Sequence, residues 1–133
     1  MRNYEDLEVW QKAHALTIKV YRVTDSFPRS EMFGLTSQVR RSASSIGANL
    51  AEGCGRWGDA ELGRYVQIAM GSASELQNHM GLAKDLQFLS LAEYATILNK
   101  LTSIRQMLTA FLQRLRGARA MRESAVPVLA KSE

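Results

Sequence analysis

The sequence predicts an all-α protein, a single antiparallel four-helix bundle in up-down-up-down order. Three observations carry that prediction. Apolar residues recur at three- and four-residue spacing in four successive stretches, the spacing of one helix face. No stretch alternates with the period of two that a strand requires. The 2 prolines, Pro28 and Pro127, leave about a hundred residues between them with nothing to remove a helical hydrogen bond. At 133 residues the chain is one domain, long enough to bury a core. Residues 1–120 are expected to form the bundle and residues 121–133 a flexible C-terminal tail.

The first helix is expected from about Asp6 to Ser26. Val9, Ala13, Leu16, Val20, Val23 and Phe27 lie on one face, which Leu7, Trp10, Thr17 and Tyr21 widen. A face this broad predicts more than one neighbour. Phe27-Pro28 ends the helix, because the residue before proline is pushed out of the α region. The second helix is expected from Ser30, read as its N-cap, to about Trp57. Its stripe is Leu35, Val39, Ala43, Ile46, Leu50 and Trp57, and the glycines around Cys54 loosen the chain into a turn. The third starts near Asp59, with Asp59 and Glu61 at its positive end, and buries Leu62, Val66, Ala69, Ala73, Leu76, Met80, Ala83 and Leu86. The fourth opens on Ser90-Leu91-Ala92-Glu93, a capping-box pattern, and continues through Leu98, Leu101, Ile104, Leu108, Phe111, Leu112 and Leu115. Short connections between four long helices favour the up-down-up-down order.

Composition narrows the class. Hydrophobic residues make up 46% and charged residues 23%, a globular balance. One cysteine, Cys54, cannot form an internal disulfide and suits a reducing, cytoplasmic compartment. No apolar run of about 18 residues marks a membrane span, and the acidic N-terminal stretch does not read as a signal peptide.

Some residues do not fit an ordinary core. Arg41, Ser45, Asn49, Glu52 and Arg56 share a second face of helix two, among small residues. Helix three carries Ser72, Glu75 and His79 at spacings of three and four. Gly34, Gly47 and Gly71 each cost roughly 1 kcal/mol against alanine within a helix, which points to close approach of another backbone. Arg41, Asn49, Glu52, Ser72 and Glu75 are therefore taken as a structural polar network. The competing reading is a polar ligand site.

Enzyme signatures are wanting. Di-metal bundles use Glu-x-x-His pairs with further glutamates. Here Glu75 to His79 is one residue longer and unrepeated, and His14 stands alone on helix one. There is no phosphate-binding Gly-x-x-x-x-Gly-Lys loop and no Gly-x-Ser-x-Gly elbow. Cys54 reads as inert and the methionines as core filler. The expectation is no catalytic residue, no metal and no cofactor.

Charge is uneven. The net charge is +4, yet from Tyr94 to Arg122 there are six basic residues and no acid. These are Lys100, Arg105, Arg114, Arg116, Arg119 and Arg122, the candidate contacts to RNA or DNA. No aromatic interleaves with them as a stacking platform, so a solvated helix end is the rival reading.

Four segments in order carry a resemblance. They are Leu7-Glu8-Val9-Trp10-Gln11-Lys12-Ala13, Gly34-Leu35-Thr36-Ser37-Gln38-Val39-Arg40-Arg41-Ser42, Ser45-Ile46-Gly47-Ala48-Asn49-Leu50-Ala51-Glu52-Gly53 and Ala69-Met70-Gly71-Ser72-Ala73-Ser74-Glu75-Leu76. Together, over roughly Tyr4 to Leu115, the chain resembles the four-helix bundle family encoded in intervening sequences of bacterial 23S ribosomal RNA genes. The accessory proteins of diversity-generating retroelements are similar. The resemblance implies homopentamers of bundles side by side and, for most members, no established biochemical activity. Its retroelement relatives bind nucleic acid and a reverse transcriptase. Arg41, Asn49, Glu52, Ser72 and Glu75 match the family's polar signature. The expected function is then a non-enzymatic homo-oligomeric bundle with RNA or DNA as a partner. The alternative is a protein-interaction adaptor, for example for a reverse transcriptase.

Overall fold

Four helices form where the apolar periodicity places them. The computed structural model describes the backbone of residues 2–131 and the side chains of residues 2–118, 120 and 121. In chain order α1 is Glu8–Thr24, α2 Leu35–Cys54, α3 Asp59–Asp85 and α4 Leu91–Lys131. Short 3-10 turns at Tyr4–Asp6 and Arg29–Glu31 precede α1 and α2. Helices adjacent in sequence pack together and α1 closes the ring against α4, while the backbones of the diagonal pairs stay further apart among the described residues. This is the antiparallel four-helix bundle. α1 accordingly has two neighbours, as its broad apolar face requires.

The core is the set of stripes turned inward. Leu16, Val20, Val39, Ile46, Leu50, Val66, Leu76, Met80, Leu101, Ile104 and Leu108 are all but removed from solvent. A fully buried side chain of this size contributes about 1.5–3 kcal/mol relative to exposure. Three expected core positions differ. Trp57 is 81% exposed, because α2 ends at Cys54 and the stripe does not extend past it. Leu86 caps α3 instead of continuing it and is 48% exposed. On α4 the buried residue is Ile97, and Leu98 is only half-buried.

The ends have local causes. Ser30 is not the cap of α2: it lies in the 3-10 turn, and the helix begins after Gly34. The Glu31 carboxylate takes the capping role, accepting from the Leu35 amide at 3.0 Å. α3 ends in a Schellman motif. Gln87, at φ 63°, donates from its amide to Lys84 O, and Phe88 N reaches back to Ala83 O at 2.9 Å. The Phe88 ring then packs on Phe27, centroids 5.6 Å apart. At α4 the capping box forms as read: Glu93 N donates to Ser90 Oγ at 3.0 Å, and Ser90 N donates to Glu93 Oε1 at 3.2 Å. The helix continues to Lys131, past the end of its apolar pattern at Ala118. Apart from Met121, the side chains of the expected tail 121–133 lie outside the described residues.

The α2–α3 seam is the tightest. Gly53 is pressed so close to α3 that a Cβ there would stand 2.8 Å from Tyr65 Cβ and 3.0 Å from Leu62 Cδ1. The three glycines expected to meet a backbone behave differently. Gly47 makes room for the Trp10 indole, Gly34 for the Glu31 side chain, and Gly71 has nothing within 4 Å. A half-buried hydroxyl ties α1 to α2, since Thr17 Oγ1 lies 3.0 Å from Ala43 O as well as 2.9 Å from Ala13 O. Arg40 holds the C-terminal end of α1, donating to Thr24 Oγ1 and Tyr21 O and covering the Tyr21 ring at 4.8 Å. Among the described residues every buried side-chain nitrogen and oxygen has a partner.

Candidate nucleic-acid interface

The basic residues of α4 do not share one face. Lys100 and Arg114 are fourteen residues apart, about four turns, and look toward α1. Arg105 and Arg116 are eleven apart, about three turns, and look toward α3. Arg105 is also occupied: its guanidinium donates to Gln77 Oε1 at 2.6 Å and to the Ser74 hydroxyl, stitching α4 to α3. It is a packing residue more than an open cation. Arg119 and Arg122 lie outside the described side chains.

What the bundle builds is a groove between α1 and α4, its most loosely packed pair of neighbours. Three concavities follow one another along it. At one end Leu7, Glu8, Val9, Met107, Ala110, Phe111 and Arg114 line it; in the middle, Lys12, Ala15, Leu16, Lys100, Ser103 and Ile104. At the far end Ile18, Lys19, Arg22, Val23 and Glu93 join Ala15 and Lys100. From Leu7 to Val23 the groove runs roughly 24 Å along α1 at about 1.5 Å per residue. Buried Val9, Leu16, Ile104 and Phe111 form its apolar floor. Lys12, Lys19, Arg22, Lys100 and Arg114 stand at its edges, against the carboxylates of Glu8 and Glu93. Only Lys12 is drawn to one of these, at 3.9 Å from Glu8. A low-dielectric floor under a row of like charges concentrates the field at the groove.

Lys12, Lys19 and Arg22 escaped the sequence reading, which followed charge along one helix at a time. Their spacing on α1 puts them along one edge of its apolar face, and that was the available signal. Their meeting with Lys100 and Arg114 depends on helix pairing.

The proposed polar network resolves into separate pieces. Ser72, buried, donates to Ser45 Oγ at 2.9 Å, and Asn49 Nδ2 donates to the same oxygen at 2.9 Å and to Ser45 O at 2.8 Å. This cluster bridges α2 and α3. Glu52 turns away to Arg56 at 2.7 Å, an exposed pair one helical turn apart. Glu75 meets His79, not Ser72, at 3.3 Å. Arg41 is exposed and takes no partner among the described residues. The outward residues Arg41, Ser44, Ala48 and Glu52 of α2 and Gly71 and Glu75 of α3 therefore make one exposed face of small and polar groups, with Ile68 as its apolar member.

Titration adds little chemistry. Burial pushes the Cys54 thiol above its ordinary value, with Arg2 opposing more weakly. A hydrogen bond donated by Arg64 holds the Glu61 carboxyl below its usual range, and the bonds that Arg56 and Arg64 donate to Glu52 and Glu61 raise the guanidinium values of the two arginines. Among the described residues no three His, Cys, Asp or Glu side chains gather as metal ligands. His14 stacks on Trp10 at 4.8 Å. No helix among them is long and apolar enough to cross a membrane.

A solved structure is similar: a protein of unknown function from the S23 ribosomal protein family of Bacteroides thetaiotaomicron. It is 23% identical, with a TM-score of 0.71, over 78% of this chain and 97% of that one. That likeness speaks for the bundle fold. No curated protein matches the chain. A family model for the 23S rRNA-intervening sequence protein matches residues 5–110, which take in α1, α2, α3 and the N-terminal half of α4. The chain belongs to the 23S rRNA-intervening sequence protein family.

Proposed function

We propose that the chain is a non-enzymatic, homo-oligomeric bundle that binds RNA or DNA along the α1–α4 groove. The observation that carries this reading is the row of five cations against two carboxylates over an apolar floor. A phosphate backbone is a line of charge, and a linear array of Lys and Arg is its physical complement. Assembly uses the other side of the bundle. The α2–α3 face of Arg41, Ser44, Ala48, Gly71 and Glu75 offers small residues that let a second copy approach. The proposed subunit number, five, is the one the family resemblance implies. A reduced, buried Cys54 accords with a cytoplasmic setting.

Charge reversal tests the binding half. Lys12→Glu, Lys19→Glu and Lys100→Glu together should abolish binding of labelled RNA and DNA at low salt, with the helical signal intact. Retained binding would place the contact elsewhere. Light scattering of the wild type at micromolar concentration tests the assembly half, and a monomer would refute it.

A protein-interaction adaptor, for example for a reverse transcriptase, is favoured by one feature. Phe33, 95% exposed, and Met32, 54% exposed, stand out at the end of the bundle opposite Arg114. Copurification of a protein partner lost on Phe33→Ala would support that reading.

A further inference from the structure

The turn between α2 and α3 holds an aromatic side chain in solvent. Residues 55–58 are Gly55-Arg56-Trp57-Gly58. Gly58 sits at φ 85°, in the left-handed region that glycine occupies without strain, and the turn leaves Trp57 81% exposed. An indole left in water is costly, and no packing among the described residues offsets it.

The surroundings of this turn are cationic. Arg56 and Arg64 lie over the Tyr65 ring at 5.5 and 4.6 Å. Arg64 shares a surface depression with Arg116, Asp59 and Gln67. Arg2 fastens both ends of the turn, its amide donating to Cys54 O at 3.1 Å and its guanidinium lying 4.0 Å from Asp59. Arg2 and Arg114 each lie 5.7 Å from the Phe111 ring, so the turn adjoins the Arg114 end of the α1–α4 groove. Acids are present too: Glu52 pairs with Arg56, and Glu61 with Arg64. Both pairs are exposed; Arg56 in the turn reaches back to the last turn of α2, and Glu61 and Arg64 lie one turn apart on α3. A guanidinium has five donors, so it can take a phosphate while keeping its carboxylate.

We propose that Trp57 and the arginines around it form a stacking site for an unpaired base, so that this protein prefers single-stranded nucleic acid. The proposal rests on the groove reading given above. A strand following the groove toward Arg114 reaches Arg2 and then the turn. There a free base can lie on the Trp57 face while Arg64 and Arg116 meet its phosphates. Aromatic faces accept any base, so the site discriminates strandedness and not sequence. A duplex keeps its bases stacked inside and has none to offer.

The test compares one labelled 20-nucleotide DNA, single-stranded and annealed to its complement, on wild type, Trp57→Ala and Trp57→Phe. Trp57→Ala should weaken single-strand binding about tenfold or more, since one base–aromatic stack is removed. It should leave duplex binding unchanged, and Trp57→Phe should retain most of the single-strand affinity. In a Trp10→Phe background the single strand should quench the remaining Trp57 fluorescence, and the duplex should not. Equal affinity of wild type for both forms, or a Trp57→Ala variant that binds both as wild type does, overturns the inference while the groove reading survives. A change in sedimentation of Trp57→Ala without DNA also overturns it, by making Trp57 an assembly residue. No binding of either form by wild type removes both readings together.

Discussion

Replacing Gly53 by alanine isolates the α2–α3 seam. A glycine-to-alanine change inside a helix stabilises by roughly 1 kcal/mol when the methyl group meets only solvent. Gly71 is such a place, with nothing within 4 Å of an added Cβ. At Gly53 the same Cβ stands 2.8 Å from Tyr65 Cβ and 3.0 Å from Leu62 Cδ1. Carbon atoms rest about 3.5–4.0 Å apart, so the helices must separate by roughly 1 Å. Tyr65 Cβ is fixed to its own backbone, and no rotamer change moves it away. Overpacking of this kind costs about 1–3 kcal/mol. Gly53→Ala should therefore fall below Gly71→Ala by about that amount, and a variant near the wild type or up to about 2 kcal/mol below it is expected once the propensity gain is included. Urea unfolding followed by circular dichroism measures both at low protein concentration. Equal midpoints for the two variants would refute the seam argument. If the proposed assembly uses the α2–α3 face, the Gly71→Ala gain should also shrink as concentration rises, because a second copy there would meet the added methyl.

Other outcomes follow from single contacts. Gln87→Gly should stabilise by about 1 kcal/mol, because φ 63° at the Schellman position is strained for a side-chain-bearing residue; a lower melting temperature would contradict this. Ser90→Ala removes the oxygen that accepts from Glu93 N and should cost about 1 kcal/mol in thermal or urea melts. Cys54 is buried with its thiol value raised, so a thiol reagent at pH 8 should label it only on unfolding. The sign follows: the folded thiol stays protonated where the unfolded one ionises. This contribution to stability is full below the unfolded value and lost as pH rises toward the folded one. Native labelling as fast as in urea would contradict the burial.

The inward stripes were legible because a helix face repeats locally. Val9 to Val23 on α1 and Leu62 to Ala83 on α3 are buried as their spacing requires. So was the capping box at Ser90, whose two partners are three residues apart. The misreadings came where a pattern was carried across an end. Trp57 keeps the period of α2, but the helix stops at Cys54, where Gly55 N folds back on Ala51 and Glu52. Ser30 looks like a cap, yet a 3-10 turn intervenes and Glu31 supplies the oxygen. The candidate interface was half legible. Lys100 and Arg114 were among the expected contacts, whereas Arg105 is consumed by Gln77 and Ser74. Lys12, Lys19 and Arg22 belong to a helix some eighty residues earlier. No local pattern announces that α1 and α4 will lie side by side. The polar signature failed as one network for a similar reason. Ser45, Asn49 and Ser72 face the seam, while Glu52 and Glu75 on the same helices point outward and pair with their own turns.

The most direct test is fluorescence anisotropy of labelled RNA and DNA across a salt series. If the five groove cations each neutralise one phosphate, log affinity for a single strand falls against log salt with a slope of about −3.5. Raising salt from about 50 to about 200 mM then weakens binding roughly 100-fold. Lys12→Gln, Lys19→Gln and Lys100→Gln together should bring the slope down by about 2. That pair of slopes is the predicted result. No binding at low salt, or an affinity indifferent to salt, would make the groove a solvated face and contradict the account.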